Sequence, residues 1–369
     1  MSAHPLPFRH LILLEPLGLL YGASGRLLSP AALTGRASEH FPPDSPVLAG
    51  LLTSALDPRE LRDSDGFSEL FTAGPFWHHP TQGLMLPAPL TLLQEQPDGG
   101  PRFSRRRLVW KQGNGGFLPD GWQPADEKEP PRKAPMGGWV ALSDWPSVGL
   151  EEKVPIHENP WREVSHLHPR LSESERVSAG KNALFLEYGI ALDEGVALAY
   201  LSSHTIPEGV YRFGGEGHLV QLRRQEIPVA LGHLLSQPLT APFALITPGL
   251  WGGSRLSRRE PVLSGQGGGV FPWHRDGVAP GILTEKARPW RHRLGAGRSD
   301  REDNPNAPPR KPRLSRGRWA VPAGSCYQLA GDPLPPWARW DPHWFPKEGF
   351  SFKHLGTALA LPIHAPPSG

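Results

Sequence analysis

Short apolar runs separated by glycine and proline dominate the chain. His10–Leu14 is apolar up to Glu15-Pro16 and predicts a first strand. Phe41-Pro42-Pro43-Asp44-Ser45-Pro46 then leads into Val47–Leu56, where Leu48, Leu51, Leu52 and Ala55 recur at helical spacing. Asp44 or Ser45 is placed to cap this helix, with Pro46 in its first turn. Leu70–Phe76 and Gly83–Leu86 follow as two strands. Strand, helix, strand, strand is the opening of a ferredoxin-like unit.

Between Gln94 and Gly138 the periodicity breaks down. Arg105-Arg106-Arg107, Gly113-Asn114-Gly115-Gly116 and Glu129-Pro130-Pro131-Arg132-Lys133 predict an inserted, mobile segment. A short helix is expected within Trp139–Leu150. Alternation then resumes in Ala183–Leu186, Val196–Ser202, Tyr211–Phe213 and His218–Arg223. The last two flank Gly214-Gly215-Glu216-Gly217, a tight glycine turn. Val229–Leu235 predicts a short helix and Phe243–Ile246 a buried strand, while Trp319–Leu329 and Thr357–Ile363 close the fold as strands. No repeat of fixed period is visible.

The 369 residues suit two domains, read as 1–192 with its insert at 94–138 and 193–369. The 42 glycines and 45 prolines favour short strands and many turns over a helical protein. Charge refines this picture. Arg255–Arg318 carries 15 Lys and Arg against 6 Asp and Glu, although the whole chain is only +3. One basic stretch on an acidic body suits a polyanion partner, or a solvated loop. The single cysteine, Cys326, permits no disulfide within the chain and suggests a reducing compartment. No signal peptide is visible and no apolar run approaches the roughly 20 residues of a membrane helix, so a cytoplasmic location is expected.

No complete catalytic or nucleotide motif appears. G-x-S-x-G and G-x-x-x-x-G-K-[ST] are missing, and Leu118 and Val270 occupy the third-glycine positions of two Rossmann-like spacings. His157, His166 and His168, or His78 with His79, are the places to look for a metal, but no cysteine pair or H-E-x-x-H helix supports one. A metal-free ribonuclease needs only a histidine base near a 2′-hydroxyl and a group to stabilise charge. His4, His10, His40 and Tyr21 are the candidates. Gly214-Gly215-Glu216-Gly217-His218 and Ser264-Gly265-Gln266-Gly267-Gly268-Gly269 each offer backbone N–H groups to a phosphate, or form a hairpin turn and a linker respectively. Trp77, Trp139, Trp145, Trp161 and Trp251 are expected in the core or at an interface. Trp273 and Trp290 sit among Arg275, Arg288, Arg291 and Arg293, an interleaving that suits stacked bases beside phosphates or an anchor on a protein partner.

Three ordered stretches carry a family likeness. The first is Pro16-Leu17-Gly18-Leu19-Leu20-Tyr21-Gly22 with Phe41-Pro42-Pro43 and the following helix. The second is Tyr211-Arg212-Phe213-Gly214-Gly215-Glu216-Gly217-His218, leading to Leu245-Ile246-Thr247-Pro248. The third is Val321-Pro322-Ala323-Gly324-Ser325 with the ending Gly356-Thr357-Ala358-Leu359-Ala360-Leu361-Pro362. Together they resemble the RAMP-superfamily proteins that form the third subunit of the CRISPR type III-B (Cmr) effector complex.

That resemblance implies an α+β fold of two ferredoxin-like (RRM-like) domains packed together, with long Gly/Pro-rich insertions. It implies a non-catalytic subunit at the foot of the complex that holds the 5′ tag of the CRISPR RNA. Its protein partners would be the large polymerase-like subunit and a neighbouring RAMP backbone subunit, with no cofactor and no membrane. Such proteins generally lack the exposed aromatic pairs of ordinary RNA-recognition domains and use glycine loops and basic residues instead. The implied RNA-binding residues are Gly22, Arg26 and Arg36 of the first loop, Gly214, Gly215, Gly217 and His218 of the glycine turn, and Arg288, Arg291 and Arg293 of the basic stretch. The Ala323-Gly324-Ser325 turn also matches, whereas the 94–138 and 255–318 segments match no fixed pattern. The alternatives are a metal-independent RAMP endoribonuclease that processes CRISPR RNA, and an adaptor that chiefly docks the large subunit.

Overall fold

The computed structural model describes residues 6–20, 41–61, 69–97, 100–112, 121–126, 137–150, 153–169, 184–240, 242–251, 281–294, 313–329 and 332–363. In chain order the first elements are β1 (His10–Pro16), α1 (Pro46–Ala55), β2 (Thr72–His79) and β3 (Gly83–Pro87). Next come β4 (Leu92–Glu95), β5 (Phe103–Lys111), β6 (Gly121–Pro124), β7 (Trp139–Ala141) and β8 (Val154–Pro155). The middle holds β9 (Trp161–Pro169), β10 (Leu184–Leu192), β11 (Ala197–Ser202), β12 (Gly209–Phe213), β13 (His218–Glu226) and α2 (Val229–Ser236). The remainder is β14 (Phe243–Leu245), β15 (Gly281–Leu283), β16 (Arg288–Trp290), β17 (Arg293–Leu294), β18 (Arg313–Leu314), β19 (Arg318–Ala320), β20 (Cys326–Gln328) and β21 (Ala360–Pro362). The architecture is α+β and dominated by strands, as expected from the glycine and proline content. Among the described residues no helix is long and apolar enough to cross a membrane.

Seven antiparallel strands form the central sheet in the order β12-β13-β1-β11-β2-β3-β7. Strand β1 is bonded on both sides, with Leu13 opposite Ala199 of β11 and Arg223 of β13. Its apolar run follows from burial on both faces. Leu11 and Leu13 enter one core, while Ile12 and Leu14 enter a second core with Leu48, Leu51 and Leu52 of α1. Each such side chain contributes roughly 1.5–3 kcal/mol through burial. Helix α1 begins with Pro46, as expected, but Ser45 makes no side-chain cap. Its hydroxyl donates instead to the Leu355 carbonyl, 310 positions away. Ala55, read as part of the apolar face, is exposed.

A second sheet runs β15-β20-β14-β21 and packs its Phe243, Leu245, Tyr327 and Leu361 into the core entered by Leu11 and Leu13. The two sheets share a strand order. With β1, β2, β11 and β13 as first to fourth, the central sheet contains fourth-first-third-second. With β14, β15, β20 and β21 so numbered, the second sheet repeats it. The expected division at 192/193 runs through the central sheet, since β11 and β13 flank β1 from beyond it. Gly324, in the matched Ala323-Gly324-Ser325 turn, is buried, and its carbonyl accepts from Leu90 N at 2.9 Å, joining the second sheet to the chain after β3.

Two other expectations change. The 94–138 insert contributes β5 and β6 to a small sheet in which β5 also pairs with β4 and with β8 beyond the insert. Arg106, read as part of a mobile basic run, pairs with Asp126 at 2.9 Å. Trp139–Leu150 opens with the edge strand β7, and the short helix expected in it is a 3-10 helix at Leu142–Ser147 that contains Pro146. A proline there lacks the N–H that a continuing helix would need.

Candidate nucleic-acid interface

The β12–β13 hairpin ends in Gly214-Gly215-Glu216-Gly217, closed by the Gly217 N–H donating to the Gly214 carbonyl at 3.2 Å. Gly214 has φ +75° and Gly217 φ +67°, a region costly to residues with a Cβ. Gly215, between them, does not have positive φ. Its distinguishing feature is access. Gly214, Gly215 and Glu216 are exposed, and Val47 of α1 lies beneath Gly214. His218 opens β13 opposite Phe213 and is half-buried.

Two guanidiniums border this turn. A Cβ placed on Gly215 would stand 3.7 Å from Arg293 Cζ, and one on Gly217 would stand 3.5 Å from an Arg212 terminal nitrogen. Arg212 and Arg293 are both exposed. The fold thus brings together the glycine turn and the basic stretch. Arg212 belongs to the matched Tyr211–His218 stretch, yet sequence reasoning passed over it as an ordinary strand residue.

Arg293 sits on a ribbon in which residues 288–294 run antiparallel to 313–320. Trp290 is opposite Arg318, Arg293 opposite Leu314, and the His292 and Ser315 backbones are joined at 2.8 Å. Pro289, Arg291 and Arg293 recur every second residue and are exposed, while Trp290 is buried and His292 half-buried. This period-two alternation decides which arginines face solvent.

The predicted residues therefore separate. Arg291 is exposed, with its Nε donating to the Ser315 carbonyl at 2.9 Å. Arg288 is held by Asp44 at 2.7 Å and serves to fix the ribbon. Trp290, read as a base-stacking residue or a partner anchor, packs instead against Phe352 at 5.3 Å between ring centroids. Arg318 is buried, paired with Glu348 and over the Phe352 ring. The exposed tryptophan of the ribbon is Trp319, at 49% relative exposure. Sequence reasoning assigned it to a single closing strand, whereas Arg318–Ala320 and Cys326–Gln328 belong to different sheets. Gly22, Arg26 and Arg36 lie outside the described residues, as do Tyr21, His4, His40, the Ser264–Gly269 run, Trp273 and Arg275.

His10, on β1, is in register with Ser202 and Glu226. Burial lowers its pKa, and the neighbouring Arg224, Arg9 and His204 add to the effect. Among the described residues no three His, Cys, Asp or Glu side chains gather as metal ligands. His78 and His157 both have pKa values lowered chiefly by burial. His166 and His168 lie on β9, opposite Glu187 and Phe185 of β10. Cys326 is free and buried, and burial pushes its thiol up to about 12.

A strand-rich α+β protein that presents a row of arginines beside an open glycine turn has a face suited to a polyanion. The sequence model of the family described as CRISPR-associated protein (Cas_Cmr3) matches residues 13–345, and the chain belongs to that family. This bears out the resemblance read from the three ordered stretches. No curated protein matches the chain. One similar solved chain comes from a cryo-EM structure of the type III-B Cmr-beta complex bound to cognate target RNA. It has 12% identity, a TM-score of 0.41, and 86% of each chain covered. Another comes from a crystal structure of a Csm1–Csm4 cassette in complex with AMPPNP, with 12% identity, a TM-score of 0.34, and 98% of this chain and 99% of that one covered. At those scores neither likeness carries weight.

Proposed function

We propose that the protein is a non-catalytic scaffold subunit of a cytoplasmic type III-B CRISPR effector complex that holds the 5′ tag of the CRISPR RNA. The observation that carries this reading is Arg293 lying against Gly215, which joins a row of solvent-facing arginines to an open glycine turn. Guanidiniums and backbone N–H groups bind phosphate without reading bases, as a subunit that fixes the register of a guide must do. Gly214, Gly215, Gly217, His218, Arg291 and Arg293 form the described part of the proposed RNA surface, with Gly22, Arg26 and Arg36 assigned to it by resemblance. The large polymerase-like subunit and a neighbouring RAMP subunit dock on other faces.

In this reading the protein contains two ferredoxin-like units. The support is the fourth-first-third-second strand order found in both sheets. The first unit is β13-β1-β11-β2 with α1, and the second is β21-β14-β20-β15. The boundary between them then falls near residue 227, and residues 80–196 become a long insertion in the first unit.

Fluorescence anisotropy with a labelled 5′-tag RNA tests the proposal. Affinity should fall as salt rises, and Arg293→Ala should weaken binding and reduce the salt slope by about 0.7. A parent protein with no measurable affinity for the tag RNA would defeat the tag-holding reading, whereas a scrambled strand of equal length should bind comparably, since these contacts fall on phosphates.

One observation favours a metal-independent endoribonuclease as a second reading. His10 is kept neutral near pH 7 beside Arg9, Arg224 and His204, a setting compatible with a general base. Incubation with repeat RNA in EDTA decides between them. The scaffold reading expects no unique cut, and a cut abolished by His10→Ala would establish the enzyme.

A further inference from the structure

An indole half open to solvent on a rigid ribbon calls for a partner. Trp319 is on β19 directly opposite Pro289, and both are exposed. Pro289 is followed at the strand period by Arg291 and Arg293, so the outward face runs from Trp319 past two guanidiniums to the glycine turn. The strand rise puts Arg291 roughly 7 Å from Arg293 and about 13 Å lies between positions 289 and 293. Among the described residues the two terminal nitrogens of Arg291 are uncommitted, because its bond to Ser315 uses Nε.

The ribbon is not free to fold the indole away. Its inner face is fixed by Trp290 against Phe352, by Arg318 paired with Glu348, and by Arg288 paired with Asp44. Alternation then forces Trp319 outward. Arg316, between the two halves of the ribbon, is exposed as well. Trp and Arg are enriched where proteins meet proteins as well, but here they lead to an open glycine turn that suits phosphate, and an aromatic among arginines is also the composition of a single-strand platform.

We infer that Trp319 stacks on one unpaired base of a single-stranded RNA whose next phosphates are met by Arg291 and Arg293. This rests on the RNA-holding reading and adds a base contact to it. The contact anchors one base without its identity being read, since every base has a stacking face. Trp319 thus takes the part expected of Trp290.

The test uses the full-length protein, a fluorescein-labelled 5′-tag RNA, and the variants Trp319→Phe, Trp319→Leu, Trp319→Ala and Arg291→Ala. Trp319→Ala and Trp319→Leu should weaken binding roughly 5- to 100-fold with an unchanged salt slope, because stacking releases no counterion. Trp319→Phe should recover most of the loss, and Arg291→Ala should instead reduce the slope by about 0.7. A tag RNA with every base removed should bind the parent more weakly than the intact tag does, and Trp319→Ala should show a smaller difference. If the parent binds tag RNA and all three Trp319 variants bind it equally well, the stacking inference fails and the RNA reading stands. Equal loss in Phe, Leu and Ala would also overturn it, since the ring would then matter only for shape or folding. Full RNA affinity in Trp319→Ala with failed assembly would assign the indole to a protein partner. A parent with no RNA affinity defeats the RNA reading and this inference together.

Discussion

Arg288 and Asp44 form an ion pair at 2.7 Å across 244 positions of sequence, tying the base of the arginine ribbon to the entrance of α1. The pair is partly exposed, with side chains 38% and 21% accessible. Its loss in Arg288→Ala should therefore lower stability by only about 0.2–1 kcal/mol. It should leave the salt slope of RNA binding unchanged, since this guanidinium already has its anion. Arg291→Ala and Arg293→Ala should do the reverse, with stability inside about 0.5 kcal/mol of the parent and a slope reduced by about 0.7 each. Thermal melts beside salt titrations of the three single variants check this. Equal slope losses at all three positions would show that Arg288 exchanges Asp44 for phosphate.

The glycine turn separates geometry from access. Gly214→Ala and Gly217→Ala force a Cβ into the left-handed region and should each destabilise by about 1–2 kcal/mol. Gly215→Ala meets only ordinary contact with Arg293 at 3.7 Å and should leave the melting temperature near that of the parent. If the turn receives RNA, Gly215→Ala weakens binding with little loss of stability, because the methyl stands between backbone and ligand. An unfolding midpoint as low for Gly215→Ala as for Gly217→Ala would show that access is not what selects glycine there.

The sequence made most strands legible because their period of two is local. His10–Leu14, Gly83–Leu86 and His218–Arg223 each fall within observed strands. What it concealed was pairing. Nothing in the local pattern of Leu11–Leu14 says that one neighbour arrives about 190 residues later and the other more than 200, so the central sheet spans the boundary read at 192/193. The site divided in the same way. The glycine turn was readable from residue type, whereas the choice among Arg288, Arg291 and Arg293 depends on which side of a ribbon each occupies. Trp290 and Trp319 exchanged expected roles for that reason. Both lie beside arginines in sequence, and only the register of Trp290 with Arg318 turns one inward.

Gly281 and Trp110 provide a test of how the insert is held. A Cβ on Gly281 would fall 2.1 Å from Cζ3 of the Trp110 indole, so β5 of the insert lies hard against β15 of the second sheet. Gly281→Ala cannot be absorbed without moving the ring, and overpacking of this kind costs about 1–3 kcal/mol. Trp110→Leu removes the obstacle, so the double variant should regain part of the stability lost by Gly281→Ala. Urea unfolding of the two single variants and the double variant gives the coupling. Additive losses would mean that the insert does not rest on Gly281.

His292 sets an acid limit on the ribbon. Its ring lies between Trp290 at 4.9 Å and Phe352 at 5.5 Å, and neither ring nitrogen has a hydrogen-bonding partner among the described residues. Burial lowers its pKa from 6.5 to about 4; Glu348 opposes the shift and Arg318 adds to it. Between those values the unfolded chain binds a proton that the folded chain refuses. Stability from this group is therefore complete above about pH 6.5 and is lost as pH falls toward 4. His292→Phe keeps the aromatic packing without a titrating nitrogen. Urea midpoints measured at pH 7 and pH 5 should converge in His292→Phe relative to the parent, whose remaining slope comes from other buried histidines such as His354, whose pKa is also lowered by burial. An identical pH 7 to pH 5 difference in both proteins would show that His292 does not limit the fold in acid.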